Sequence, residues 1–155
     1  MAIITLAQAE KIIDAVIGRA RELGCRPISV VVVEPGAIVK AFKKEDGSAM
    51  MRFEMAMGKA YAALALGRSS SLVRARTEQR PLFMDFMFKA SHDKIFAEGG
   101  GMLIRATDAE LLGAVGVTGD TQEQDEALAA HGIRAAGLKT DEDCENLSHH
   151  VRLSN

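Results

Sequence analysis

The sequence has no tryptophan, one tyrosine and six phenylalanines, which leaves little aromatic surface for stacking against nucleic-acid bases. It also lacks an excess of basic residues. The 19 lysines and arginines stand against 21 aspartates and glutamates, which gives a net charge of −2. A duplex-binding protein is expected to carry a marked basic surface. Both absences argue against nucleic acid as a partner.

Long hydrophobic runs and abundant cysteine are missing as well. No apolar stretch approaches the roughly 20 residues that a transmembrane helix needs, so no membrane partner is expected. Residues 1–24 carry Glu10, Lys11 and Asp14 within an amphipathic pattern, which predicts no signal peptide. The two cysteines, at positions 25 and 144, are most simply interpreted as two thiols in a reducing compartment. We therefore expect a cytoplasmic protein.

Hydrophobic residues are plentiful, at 48% of 155 residues, and can bury the core of one domain. Apolar steps of three and four predict helices at 6–23, 50–67, 70–78 and 121–137, with helical turns at 82–88. β-branched or alternating runs predict strands at 28–33, 38–43, 95–97, 102–105 and 111–117. Successive hairpins favour an antiparallel sheet with helices packed on it, an α+β fold.

The C-terminal residues differ from the rest. Residues 138–155 hold four acidic and two basic side chains, so the whole net charge of −2 sits there and residues 1–137 are neutral. We predict a domain at 1–137 and an acidic tail at 138–155 that is mobile or docks on a partner. Within the tail, Cys144, His149 and His150 are metal-ligand types, but no defined set of companion ligands accompanies them. We favour adventitious binding there over a built metal site.

Three consecutive glycines, Gly99, Gly100 and Gly101, offer backbone N–H groups that can approach an anion or a cofactor. The same triplet also permits a bulge or a sharp bend between strands. No Lys-Ser/Thr pair follows in the register of a phosphate-binding loop, and no helix is predicted there. For the motif taken alone, the structural interpretation is favoured.

Two titratable side chains are further candidates. His92, followed by Asp93 and Lys94, is a candidate general acid/base or a metal or haem ligand, although an exposed loop histidine is the commoner case. Lys59 lies in an alanine-rich helix and either extends along the surface or projects into a pocket. Glu54 is five residues from Lys59, so the two do not face each other on one side of the helix.

The ordered set of motifs resembles the GlcG/HbpS-like family, which includes the C-terminal domain of PduO-type adenosyltransferases. The matching segments are VVVEPG at 31–36, AF at 41–42 with DG at 46–47, GKAYAA at 58–63, GRSS at 67–70, FAEGGG at 96–101, LGAVGVTG at 112–119 and QDE at 124–126. The match spans roughly residues 3–137. Met102 and the Lys44-Glu45 pair depart from the family pattern, and the tail is additional.

This resemblance implies a five-stranded antiparallel sheet flanked by helices, with a profilin-like or PAS-like architecture, assembled into homo-oligomers. It also implies a binding module for haem or a related tetrapyrrole, in a catabolic or redox context. His92 or Thr118 would supply a polar or axial contact, and the three glycines would lie at the cofactor. The apolar contacts would come from Phe83, Phe86, Met87 and Met102.

The alternative is a cofactor-free enzyme, a tautomerase/isomerase or hydrolase acting on a small organic acid or a ring-opened catabolic intermediate. Lys59 would bind the substrate's charge, Glu54 or Glu98 would move a proton, and the three glycine amides would hold an oxyanion. The sequence leaves open whether the chain is an enzyme.

Overall fold

The computed structural model describes residues 2–144. Its helices are α1 (Leu6–Glu22), α2 (Arg52–Leu66), α3 (Ser70–Gln79), α4 (Pro81–Ala90) and α5 (Gln122–Ala135). Its strands are β1 (Ser29–Val33), β2 (Val39–Lys44), β3 (Gly101–Arg105) and β4 (Leu111–Thr118), and a short 3-10 helix covers Asp141–Asp143. The helices and hairpins expected from the sequence are present, and the α+β class is confirmed.

The sheet has the strand order β2-β1-β4-β3 with every neighbouring pair antiparallel. Within residues 2–144 it has four strands, so the prediction of five was wrong. The missing one is 95–97, which forms a loop against helix α2: the Phe96 N–H donates to the Gly58 carbonyl at 3.1 Å. Ile95 is buried in the cluster that contains Ala62. This segment therefore packs against helices, with Ile95 buried and Phe96 and Ala97 half-buried, instead of pairing with a strand.

Strand β1 lies in the middle of the sheet and is buried on both faces. Val30 and Val32 join the core cluster formed with α1 and α5, whereas Val31 and Val33 join the cluster formed with α2. This division follows from the two-residue period of a strand. The molecule therefore has α1 and α5 on one face of the sheet and α2 on the other.

Helix α2 packs unusually close to the sheet. Its sheet-facing residues are alanines, and opposite them β4 carries Gly116. A Cβ atom at Gly116 would lie 2.0 Å from the Ala56 carbonyl oxygen, so only glycine is compatible with this distance. The alanine and glycine pairing therefore fixes how near α2 sits to strand β4.

Two helices begin at a side-chain cap. Thr5 and Gln8 form a reciprocal capping box at α1, with bonds of 3.0 and 3.1 Å. At α5 the Thr121 hydroxyl accepts from the Gln124 N–H at 3.2 Å. The second cap places the first turn of α5 directly after the end of β4.

Residues 138–144 of the predicted acidic tail pack on the domain. Arg105 and Lys139 exchange two backbone hydrogen bonds of 2.8 and 2.9 Å, and the Arg105 guanidinium donates to Asp141 at 2.7 Å. Thr140 and Cys144 are buried. Residues 145–155, which include His149 and His150, lie outside the described residues. None of the helices in residues 2–144 is long and apolar enough to cross a membrane.

Candidate functional site

Helix α2 is flanked by two cavities. The first, which we call the polar pocket, has a volume of about 380 Å³ and lies between α2 and the start of α5. Its lining comprises Arg52, Met55, Lys59, Phe96, Glu98, Thr118, residues 120–123 and Asp125. The second, which we call the apolar groove, has a volume of about 440 Å³. Its lining comprises Gly36, Ala37, Phe53, Glu54, Met57, Gly58, Tyr61, Asp93 and Lys94.

A buried ion pair lies at the base of the polar pocket. The Lys59 Nζ is 3.1 Å from the Asp125 carboxylate and 3.0 Å from the Val117 carbonyl oxygen. The side chains of Lys59 and Asp125 are only 4% and 2% exposed. Asp125 also accepts backbone N–H bonds from Gly119 at 3.2 Å and from Asp120 at 3.0 Å. These contacts offset the cost of burying two charges.

Burial shifts both members of this pair towards their neutral forms. Desolvation lowers the pKa of Lys59, although the neighbouring Asp125 carboxylate opposes that shift. Desolvation likewise raises the pKa of Asp125, against the attraction of Lys59 and the backbone N–H bonds. Burial therefore brings the pKa values of Lys59 and Asp125 closer together than they are in water. Groups that transfer protons share this property.

Arg52 brings a second cation to the pocket. Its Nη1 donates to the Thr118 hydroxyl at 3.2 Å and lies 3.6 Å from the Met55 sulfur. Within residues 2–144 the half-buried guanidinium makes no ion pair with a carboxylate. Among the described residues, one cation of the pocket therefore has a carboxylate partner and the other has none.

The strand next to Thr118 carries a hydroxyl without a partner. Ser29 pairs with Thr118 in the β1–β4 register, and directly opposed residues of an antiparallel pair present their side chains on the same face. Ser29 is fully buried, and its Oγ is the one buried side-chain polar atom of residues 2–144 without a hydrogen-bond partner. The sheet beneath the pocket thus holds unused hydrogen-bonding capacity.

The glycine triplet runs alongside Lys59. Gly100 has φ +128°, and a Cβ atom there would lie 2.3 Å from the Val117 carbonyl oxygen and 3.1 Å from the Lys59 Nζ. A side chain at this position would therefore displace the lysine. Glycine lets the loop backbone pack directly on the buried ammonium group.

The other two glycines donate their N–H groups inside the protein. The Gly99 N–H donates to the Gln122 side chain at 3.0 Å, and the Gly101 N–H donates to the Ser70 hydroxyl at 2.7 Å. An oxyanion held by these two amides would have to displace both acceptors. The triplet is therefore better described as a bend that positions Lys59, in agreement with the structural interpretation of the motif.

The predicted catalytic residues divide between the two cavities. Glu98 lines the polar pocket with Lys59, and its carboxylate receives a bond from Arg74 at 3.0 Å. Glu54 is exposed and lines the apolar groove on the other side of α2. The structure therefore brings Lys59, Glu98 and Thr118 together and leaves Glu54 apart from them.

Aromatic and thioether groups form the walls of the apolar groove. Phe53 is in edge-to-face contact with Phe42, with ring centroids 4.9 Å apart and an angle of 86° between the rings. The Lys94 Nζ lies 5.8 Å from the Tyr61 ring centroid. Met57 is half-buried between them on the same flank of α2. This side of the helix offers apolar contact with one cation near its rim.

His92 lies in the turn after α4 and is not itself one of the residues that line this groove. The turn holds His92 and Asp93 at φ +55° and +59°, and their N–H groups donate to the Lys89 and Phe88 carbonyls at 3.0 and 2.8 Å. His92 is exposed and directly precedes Asp93 and Lys94, which line the groove.

The remaining residues predicted to contact haem lie elsewhere. Met102 lines a third cavity, on the α5 side of the sheet, beside Leu72 and Arg134. Phe83 and Met87 of α4 pack around buried Met84, while Phe86 is 64% exposed. None of these four side chains lines either cavity beside α2. The predicted set is therefore spread over several parts of the domain.

Sequence reasoning missed Arg52 and Asp125 as site residues. Arg52, Met55 and Lys59 are spaced by three and four residues, so one flank of the helix is readable from the sequence. Asp125 lies in the first turn of α5, where an acidic residue is favourable to the helix start whether or not it belongs to a site. Its pairing with Lys59 joins positions 66 residues apart and has no local signal.

Three comparisons relate this chain to known proteins. A family model described as haem degrading protein HbpS-like matches residues 4–134. An uncharacterised 15.0 kDa protein of Citrobacter freundii, from a dhaT-dhaS intergenic region, is 29% identical over 129 residues, which is 83% of this chain and 89% of the relative.

The solved structures agree with that assignment. The Klebsiella pneumoniae protein ORFY is 25% identical and superimposes with a TM-score of 0.79, over 88% of this chain and 92% of its own. The PduOC:Heme complex has a TM-score of 0.80, over 90% of this chain and 99% of its own, and at 22% identity it shows the shared fold. Because the family model spans most of the sequence, this chain belongs to the HbpS-like family.

Proposed function

We propose that this protein binds haem or a related tetrapyrrole in the apolar groove. The observation that carries the proposal is the groove wall of Phe53, Met57 and Tyr61, beside the turn that holds His92, in a chain of a family described as haem degrading. A flat macrocycle needs soft and aromatic contacts of this kind. A protein of the same fold has been solved as a heme complex, which supports the proposal at the level of fold.

The side chains around the groove fit such a ligand in type. The His92 imidazole would hold the haem iron, and the bound haem would supply its redox and oxygen chemistry. Lys94 would pair with a propionate carboxylate. Glu54 and Asp93 also line the groove and would repel that group, so the propionates are expected on the Lys94 side. Thr118 and Met102 have no part in this arrangement.

Titration of the full chain with haemin tests the proposal. We expect a saturable shift of the Soret band, largely lost in His92→Asn. Asparagine is chosen because it tolerates the positive φ of the turn better than alanine and does not ligate haem iron. The matched control is His131→Asn, since His131 is an exposed histidine on α5. Absence of any shift at micromolar haemin, or equal loss in both variants, would remove the proposed site.

A second candidate function rests on a different observation, the buried Lys59–Asp125 pair beside Glu98 in the polar pocket. A cofactor-free tautomerase/isomerase or hydrolase acting on a small organic acid needs a proton-transfer group next to a cation for the substrate. This flank of α2 offers both. The candidate requires that the polar pocket bind an organic acid, and it fails if no such binding is found.

A further inference from the structure

The polar pocket contains a cation, Arg52, that is not paired with any carboxylate of residues 2–144. The Arg52 guanidinium is half-buried, contacts a hydroxyl and a thioether, and makes no ion pair within residues 2–144. Arginine presents a planar fork of N–H donors that matches a carboxylate in two-point geometry. A guanidinium held at a cavity wall in this state is prepared to accept an anion.

The carboxylates of the pocket do not fill that role, because three of the four have other partners and the fourth is exposed at the rim. Glu98 receives a bond from Arg74, and Asp125 is paired with Lys59. Asp120 accepts the backbone N–H groups of Arg26 and Thr121 at 2.9 and 2.8 Å, which hold its pKa below the ordinary value. Glu123 is exposed at the rim. None of them is within ion-pair distance of Arg52.

Lys59 has one hydrogen-bond donor left for a ligand. An ammonium group carries three N–H donors. In this protein one is directed to the Val117 carbonyl and one to Asp125, while Lys59 also lines the cavity. A ligand oxygen in the pocket can therefore receive bonds from Arg52 and from the remaining Lys59 donor. Both residues lie on the same flank of α2, seven positions apart.

We propose that the polar pocket is a binding site for a small organic acid with a single carboxylate, which pairs with Arg52 and also contacts Lys59. The volume of about 380 Å³ suits a small molecule. The rim carboxylates Glu98, Asp120 and Glu123 limit the ligand to one negative charge, because they would repel any second negative group. This site is separate from the apolar groove and does not depend on haem binding.

The test compares acids with their neutral amides on the full chain. Benzoate and pyruvate are titrated against benzamide and pyruvamide, with binding followed by NMR chemical-shift changes and by calorimetry. We expect binding by the acids and not by the amides. Because hydrogen bonds to charged groups are strong, Arg52→Gln should weaken acid binding by roughly 10- to 100-fold. Arg19→Gln, on the exposed surface of α1, is the matched control and should have no effect.

Three further measurements keep the proposal open to refutation. Arg52→Lys retains the charge but loses the fork, so its affinity should fall between those of wild type and Arg52→Gln. Succinate should bind more weakly than benzoate if the rim sets the ligand charge. Haemin titration of Arg52→Gln should match wild type, which separates this site from the groove. The proposal is overturned if neither acid binds at millimolar concentration, or if Arg19→Gln weakens binding as much as Arg52→Gln.

Discussion

The two flanks of helix α2 differ in polarity and in burial. On the polar flank, Lys59 is buried and fixed by Asp125 and a strand carbonyl, with glycine backbone packed against it. On the groove flank, Phe53, Met57 and Tyr61 line an open cavity, and each of them keeps part of its surface exposed. One helix therefore offers two unlike surfaces within three turns.

This difference predicts where stability and ligand binding are coupled. The polar flank holds α2, β4 and α5 together, so the residues that would contact a ligand there also maintain the fold. The groove residues contribute less to the core, so their substitution should change ligand binding more than folding. Substitutions on the two flanks can therefore be ranked by the loss of unfolding free energy that we expect from each.

The largest expected effect is that of Lys59→Met. It leaves Asp125 buried without its cation, and breaking a buried pair on one side typically costs about 3–5 kcal/mol of unfolding free energy. The pKa of Asp125 is already raised by burial, and loss of Lys59 removes an opposing attraction. A carboxyl whose pKa is higher in the folded state than in the unfolded state destabilises the fold at pH values above 3.8. The loss of unfolding free energy in Lys59→Met should therefore become smaller as the pH falls towards 3.8.

Urea unfolding at several pH values measures this deficit. Lys59→Met/Asp125→Asn should recover part of the stability, since it removes the buried charge while the asparagine oxygen keeps one of the two backbone N–H bonds that Asp125 accepts. The surface control is Lys89→Met, because Lys89 and Asp85 form a pair of 2.8 Å that is 75% and 59% exposed. It should change stability by less than about 1 kcal/mol. Equal losses for Lys59→Met and Lys89→Met would contradict the ranking.

A smaller effect is expected for Gly116→Ala, which bears on both flanks at once. The added Cβ would meet the Ala56 carbonyl at 2.0 Å, so the helix must move away from β4. Overpacking of this kind costs about 1–3 kcal/mol. Since both cavities share α2, haemin binding and acid binding should weaken together. That joint loss distinguishes a displaced helix from damage to one flank.

The matched control for this variant is Gly18→Ala on α1. A Cβ there meets nothing within 4 Å, so alanine should stabilise the helix by about 0.5–1 kcal/mol. Thermal unfolding of both variants gives the comparison. If Gly116→Ala leaves the stability unchanged, α2 lies farther from β4 than the 2.0 Å between the added Cβ and the Ala56 carbonyl oxygen implies.

Most of the fold was predictable because its signals are local. The helix at 6–23 was expected from apolar spacing, and it forms over Leu6–Glu22. The β-branched run at 28–33 predicted a strand, and β1 forms there. The prediction of a strand at 95–97 was wrong because a short apolar run has the same pattern whether it pairs in a sheet or packs against helices.

The candidate site was predictable only in part, because it depends on which face each residue takes. Lys59 and Thr118 were selected from motifs and do meet in one pocket. Met102 was expected beside the glycines, but alternation along β3 directs Gly101 towards α2 and Met102 towards the α5 side. The family assignment was confirmed, while homo-oligomers and a cytoplasmic location stay predictions.

The smallest expected effect is that of Phe53→Ala in the groove. Phe53 is 36% exposed and contacts the edge of Phe42 at a centroid distance of 4.9 Å. An aromatic pair contributes about 0.5–1.5 kcal/mol beyond area burial, so a double-mutant cycle with Phe42→Ala should give a coupling in that range. The free energy of haemin binding should decrease by more than the free energy of unfolding does. The affinity of the polar pocket for organic acids should be unchanged. If Phe53→Ala destabilises the protein as much as Lys59→Met, the groove belongs to the structural core and the two flanks are not functionally distinct.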